Sequence, residues 1–213
     1  APAVAMAASF LGFGAAVSAA GLGLGWAMAS ALAIYGMPGQ LILLTAAAGG
    51  GALGAAVLSA IAANARFLPM AVALSPWLGG HRSRWLALPF IAVTPWAAGM
   101  RALPGLPPAR RLGWFLGFAA GCWGVATAAT LLGFWMAPGL PGSLLALLVF
   151  TNPLYFGLLL LADRRLPAAR RALLGGALAS PLVLVLPAAW GLLVAGLLGG
   201  SLAFWWGERV GRR

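Results

Sequence analysis

The sequence predicts an all-α, polytopic membrane helix bundle of about seven spans plus one broken or re-entrant segment, on three observations. The composition is 63% hydrophobic and only 7% charged over 213 residues, a balance foreign to a water-soluble fold of this size. From Ala1 to Ala65 there is no Lys, Arg, Asp, Glu or His, and at about 1.5 Å per helical residue that stretch can cross a ~30 Å hydrocarbon core more than once. The blocks Leu112–Ala162 and Ala172–Gly207 are likewise uncharged. Each is long enough for two crossings joined by a short turn.

Lipid cannot satisfy backbone amides, so the spans are helices or a closed barrel, and barrel strands would alternate apolar and polar residues. The runs here are continuous and dominated by Ala, Leu and Gly, which suits helices approaching closely through small residues. A membrane bundle also accommodates the 31 glycines and 15 prolines, because neighbouring helices re-satisfy the freed backbone groups. Crossings are expected at Ala3–Gly21, Leu53–Leu74, Trp85–Leu103, Leu112–Met136, Ser143–Ala162, Ala172–Ala188 and Ala189–Trp206. The whole chain, 1–213, reads as a single transmembrane domain.

The net charge of +11 would suit a nucleic-acid binder, but its distribution does not. All thirteen basic residues are Arg, and most stand in short gaps between apolar blocks: Arg82 and Arg84; Arg101, Arg110 and Arg111; Arg164, Arg165, Arg170 and Arg171; Arg209, Arg212 and Arg213. That is the positive-inside pattern, so no nucleic-acid partner is expected. It places Asp163–Arg171, Arg101–Arg111 and the C-terminus on the cytoplasmic side and Gly79–Arg84 opposite. The lone Cys122 excludes an internal disulfide and reads as a packing residue.

The segment Trp26–Gly49 stands apart. Its centre reads Ile34-Tyr35-Gly36-Met37-Pro38-Gly39-Gln40, and a helix is not expected to run through it: Pro38 lacks a donor and clashes with the preceding turn, while Gly39 opens dihedrals closed to other residues. Such a break is either an extramembrane turn or, at membrane depth, a wet cavity of the kind that creates substrate sites in transporters. The absence of any charge, with Gln40 as the one strongly polar side chain nearby, favours the second. Phe-Leu-Gly-Phe occurs at Phe10–Phe13 and again at Phe115–Phe118, each followed by a Pro-Gly pair, at Pro38-Gly39 and Pro141-Gly142, and then by an Asn, at Asn64 and Asn152. This echo suggests repeat halves 1–105 and 106–213, inverted if Trp26–Gly49 returns without crossing and parallel if it crosses.

Asn64-Ala65-Arg66-Phe67 lies in or near the end of an expected span, where a guanidinium is costly unless it pairs or faces water. Arg66 either meets a substrate carboxylate, with the Asn64 amide beside it, or snorkels to an interface while Asn64 bonds another helix. No His and carboxylate cluster, phosphate-cradling loop or metal-ligand spacing is present, and His81 lies in a loop beside Arg82. No enzyme activity, metal or cofactor is expected.

In order along the chain, the glycines and Phe near the start, Gly21-Leu22, the Gly-X-Pro-Gly-Gln element at Gly36–Gln40, Asn64-Ala65-Arg66 and Leu74-Ser75-Pro76 resemble the AzlC-type branched-chain amino acid permease family, most clearly over Phe10–Trp77. The resemblance implies export of leucine, isoleucine, valine and similar neutral amino acids across the bacterial cytoplasmic membrane, alongside a small AzlD-type membrane subunit. Two departures stand out. Phe67 occupies a position where family members often carry His, and Thr94 is followed by Pro95-Trp96 where they carry an acidic pair. The only acidic residues, Asp163 and Glu208, lie at membrane edges, which argues against a proton-coupling carboxylate on this subunit.

The candidate substrate-binding residues are Gly36, Pro38, Gly39, Gln40, Asn64, Arg66, Thr94 and Asn152. Amides freed at Gly39 and Gln40, with Arg66, would take the substrate carboxylate; Asn64, Gln40 or Asn152 would take the ammonium; Tyr35, Phe67 or Trp96 would cover the aliphatic side chain. A substrate-capturing subunit energised by a separate ATPase and a non-transporting assembly subunit remain open beside the permease.

Overall fold

The structure, a computed structural model, describes residues 2–79, 82–162, 165–186 and 188–211. Among the described residues there is no β-strand. Eleven α-helices follow one another: α1 Pro2–Ala19, α2 Leu24–Ala33, α3 Met37–Ala48, α4 Leu53–Asn64, α5 Phe67–Leu74, α6 Val93–Ala102, α7 Pro108–Met136, α8 Gly142–Ala162, α9 Pro167–Ala179, α10 Leu182–Val185 and α11 Ala188–Gly211. The stretches Leu53–Trp77, Pro108–Gly139 and Pro167–Val185 are each long and apolar enough to cross a membrane. Large apolar side chains such as Leu58, Val72, Leu132 and Leu184 cover the outside, as expected when the solvent is lipid. The molecule is an all-α membrane bundle.

α7 is the central post. At 29 residues it is about 43 Å long, more than the hydrocarbon thickness, and α1, α2 and α6 pack along it while α8 covers α1. Phe10, Phe13 and Val17 of α1 meet Cys122, Ala126 and Ala129 of α7 in a core that also takes Tyr35, Met37 and Leu44. Glycine sets how closely α1 and α7 approach: a Cβ on Gly133 would strike the Leu11 carbonyl, and one on Gly14 the Thr130 carbonyl. Cores between transmembrane helices depend on such contacts because apolar burial gives little advantage over lipid. Gly175 and Gly199 perform the same service between α9 and α11, each facing the other's backbone, and α11 leans on α4.

One expected span is corrected and two others keep their place with shifted bounds. Trp85–Leu103 is not one crossing: Arg82–Phe90 forms a 3₁₀ helix containing Pro89, the chain extends at Ala92 (φ −132°, ψ 168°), and α6 starts afresh at Val93. Pro89 disfavours α geometry in the residue before it, and Pro95 sits where a helix tolerates proline, in its first turn. Ala172–Ala188 begins earlier, at Pro167, and is interrupted at Ser180–Pro181, giving α9 and α10. Ala189–Trp206 continues through Glu208 and Arg209 to Gly211 as α11. The remaining expected spans correspond to α1, α4–α5, α7 and α8 within a few residues. His81 and Asp163 lie outside the described residues.

Candidate functional site

The helix is broken where the sequence concentrates Gly36, Pro38 and Gly39. α2 ends at Ala33, Ile34 closes it by donating to the Ser30 carbonyl, and α3 restarts from Gly36, which is extended at φ −152°, ψ 96°. Pro38 stands in the first turn of α3, where its missing N–H costs nothing. Gln40 N donates to the Gly36 carbonyl at 3.0 Å, so the new helix is closed from its first turn. Its leading amides, those of Met37 and Gly39, have no intrahelical acceptor, and they carry the positive end of the helix dipole.

Gly36 and Gly39 then do a second job. Both press against the Asn64 side chain at the end of α4: a Cβ on Gly36 would stand 2.7 Å from Asn64 Oδ1, and one on Gly39 2.5 Å from Asn64 Nδ2. Only residues without a Cβ let the broken helix and Asn64 meet. Gly39→Ala is therefore expected to displace the Asn64 amide and lower the thermal midpoint in detergent by an amount equivalent to about 1–3 kcal/mol, whereas Gly54→Ala, with open space around it, should not lower it. Thermal unfolding of the purified variants checks this.

The chain turns at Ala65–Arg66 between α4 and α5, and this places Arg66 and Phe67 in a small cavity with Gly36 and Met37 from the start of α3 and Ala92, Val93 and Thr94 from the start of α6. Met6, Phe10 and Tyr35 complete the wall. Tyr35 stacks on Phe10 with ring centroids 6.2 Å apart and donates its hydroxyl to Met6 Sδ at 3.7 Å. The Arg66 guanidinium lies over the Phe67 ring, 5.3 Å from its centre, a cation–π contact that holds it in an apolar surrounding.

Two helix N-termini and one guanidinium thus line the same space, and among the described residues no carboxylate does. In α6, as in α3, proline falls within the first turn: Trp96 N donates to the Ala92 carbonyl at 2.9 Å, and the amides of Val93 and Thr94 lead the helix without intrahelical acceptors. Helix N-termini of this kind favour negative charge.

The site is also rich in polar atoms without a partner in the chain. Gln40 is fully buried, and neither its Oε1 nor its Nε2 has a hydrogen bond; the same holds for buried Asn64 Oδ1 and Arg66 Nε. Native proteins leave few such groups, and each calls for a water, an ion or a functional role. The cavity measures about 40 Å³, room for a few waters. Beyond Asn64 an apolar groove of about 520 Å³, lined by Ile34, Leu43, Val57, Ile61 and Leu68, opens between α3 and α4. A cavity of about 560 Å³ between α5 and the 3₁₀ segment is larger, and the described residues that line it, among them Val72, Leu78, Trp85 and Ile91, carry no charge.

Of the sequence-derived candidates, Gly36, Pro38, Gly39, Gln40, Asn64, Arg66 and Thr94 fall at or within one helical turn of this junction. Asn152 belongs to α8, which packs on α1, and its side chain lies outside the described residues. Among the proposed apolar walls, Tyr35 and Phe67 line the cavity, whereas Trp96 packs into the second core with Leu74, Leu103 and Phe115. The start of α6 at Ala92–Val93 is a contributor that sequence reasoning missed by reading through it. The signal available was the pair Pro89 and Pro95, six residues apart.

A family model described as AzlC protein matches residues 2–140, the stretch that contains every described residue lining the cavity and the groove. No curated protein and no solved structure matches the chain. The match covers well over half of the sequence and includes the broken helix, Asn64, Arg66 and the start of α6, so the chain belongs to the AzlC family, membrane permeases of amino acid transport.

Proposed function

We propose that the protein exports branched-chain and similar neutral amino acids across the bacterial cytoplasmic membrane, working with a small AzlD-type subunit. The single observation that carries the substrate side of this reading is the meeting of two helix N-termini with Arg66 in a cavity that no carboxylate among the described residues lines. The substrate's carboxylate docks there, on the guanidinium and the leading amides of α3 and α6. Charged hydrogen bonds of this kind are each worth about 1.5–3 kcal/mol. The ammonium is accepted by Asn64 Oδ1, Gln40 Oε1 and the last-turn carbonyls of α2, which point their partial negative charge at the break. The aliphatic chain runs past Asn64 along the groove of Ile34, Leu43 and Val57.

Alternating access follows from the same break. α2 and α3 are separately closed helices that share only Ile34–Gly36 as a connection, so one can tilt without unwinding the other. Within the proposed repeat halves 1–105 and 106–213, the first supplies the binding junction and the second supplies α7, the post against which it moves. Outward direction, substrate range and the small subunit come from the family resemblance.

The direct test loads vesicles containing the protein, with and without its small companion, with radiolabelled leucine, isoleucine or valine. Efflux above protein-free vesicles is expected; its absence for all three, with the companion present, overturns the reading. A second measurement separates binding from structure. Gln40→Leu removes two buried polar atoms without partners and fills the same volume, so the thermal midpoint in detergent should rise, by an amount equivalent to about 1–3 kcal/mol, while efflux falls. Stabilisation at the expense of activity is the mark of a functional polar group.

A further inference from the structure

We infer that this site requires the substrate's carboxylate but not its ammonium, so that branched-chain 2-oxo acids are ligands alongside the amino acids. The inference rests on the amino acid reading above and sharpens its substrate class.

The two ends of a zwitterion are served unequally. The carboxylate end has a full positive charge on Arg66 and two dipole ends, at Gly36–Met37 and Ala92–Val93. Among the described residues no carboxylate lines the cavity; Glu208 lines a separate one between α9 and α11. Beside Gly36 of the cavity stands the Asn64 amide, and Gln40 is buried in the first turn of α3; both carry amide atoms without a hydrogen-bond partner among the described residues.

An amide carries both kinds of group. Its oxygen accepts from an ammonium, and its NH₂ donates to a keto oxygen, so a rotation of the Gln40 or Asn64 side chain exchanges one α-substituent for the other. Charge bookkeeping then decides the preference. Arg66 with a zwitterion leaves one net positive charge inside the membrane, whereas Arg66 with a 2-oxo acid anion leaves none, and low-dielectric surroundings favour the neutral complex. An amine without a carboxylate places a second positive charge beside the guanidinium and is rejected. The groove beyond Asn64 is apolar in both cases, so the requirement for a branched aliphatic chain is unchanged.

The experiment measures binding of tritiated leucine and of radiolabelled 4-methyl-2-oxopentanoate to the full-length protein in lipid nanodiscs. Competition by leucinamide and by 3-methylbutylamine is measured alongside. The expected result is that 4-methyl-2-oxopentanoate displaces leucine with an affinity equal to leucine's or up to about tenfold tighter, a difference of one decade, and that neither amine displaces it at a hundredfold excess. Arg66→Gln should abolish binding of both acids.

Leucine binding that the oxo acid fails to displace, or that leucinamide displaces, overturns the inference and leaves the amino acid reading standing. Oxo acid binding without leucine binding upholds the carboxylate rule and overturns the amino acid reading. Absence of both, in protein that remains monodisperse, overturns the two together.

Discussion

Replacing Arg66 with Gln is expected to lower leucine efflux by about 30- to 150-fold, equivalent to about 2–3 kcal/mol of charged hydrogen bonding, while the protein inserts as well as or better than the parent. The two outcomes have one cause. A guanidinium at membrane depth is unfavourable by about 2.5–3.5 kcal/mol on insertion scales, and among the described residues lining its cavity Arg66 has no carboxylate to offset this, only the Phe67 ring. Its Nε has no hydrogen bond in the chain. A residue retained for stability would be expected to have partners, and this one stands open to a ligand that brings its own negative charge. If Arg66 served instead as an interface anchor, Arg66→Gln would reduce the inserted fraction and leave the rate per inserted molecule intact. Measuring efflux and inserted protein on the same vesicles distinguishes the two.

Gly133→Leu is expected to prevent assembly of the bundle, with loss of the monodisperse species in detergent. Gly133 of α7 faces the backbone carbonyl of Leu11 in α1, and Gly14 of α1 faces that of Thr130 in α7. Backbone cannot rotate aside as a side chain does, so a larger residue must force the two helices apart along the whole core of Phe10, Phe13, Cys122 and Ala126. Overpacking of this type costs about 1–3 kcal/mol where neighbours can adjust, and here the neighbour is a rigid helix. The control is Gly124→Leu, on an exposed part of α7 with nothing near its Cα. There the substitution removes a poor helix former, and stability should hold or rise by less than about 1 kcal/mol. Equal stability of the two variants would show that the α1–α7 approach does not organise the bundle.

Much of the binding junction was legible in the chain because its chemistry is local. Gly36, Pro38 and Gly39 break a helix wherever they occur, and an Arg following sixty-five residues without a charge is conspicuous in any fold. The break at Ile34–Gly36 needed no tertiary information. The second N-terminus, at Ala92–Val93, was less legible, since Trp85–Leu103 has the length and hydropathy of a crossing and its prolines compete with that pattern. Prolines decided the outcome because each lacks a donor and restricts the residue before it. The interruption at Ser180–Pro181 escaped notice for the same reason.

Contacts between distant segments were legible only in part. That Asn64 accompanies the break was a reasonable expectation, but that Gly36 and Gly39 are the residues which admit it follows from an approach within 3 Å of where a Cβ would stand. Nothing in the sequence marks Gly133 and Gly14 as more important than Gly124 or Gly121, because all four are glycines in apolar helices. The difference lies in which face of α7 meets α1.

By itself the sequence determined the solvent, the helical class and the location of the break, since these depend on composition and on the intrinsic limits of proline and glycine. Tertiary structure alone decided that two helix beginnings and one guanidinium share a cavity that no carboxylate among the described residues lines. The physical reason is that an electrostatic site is a sum over distances in space, and residues 36, 66 and 93 become neighbours only when α3, α4–α5 and α6 are packed together.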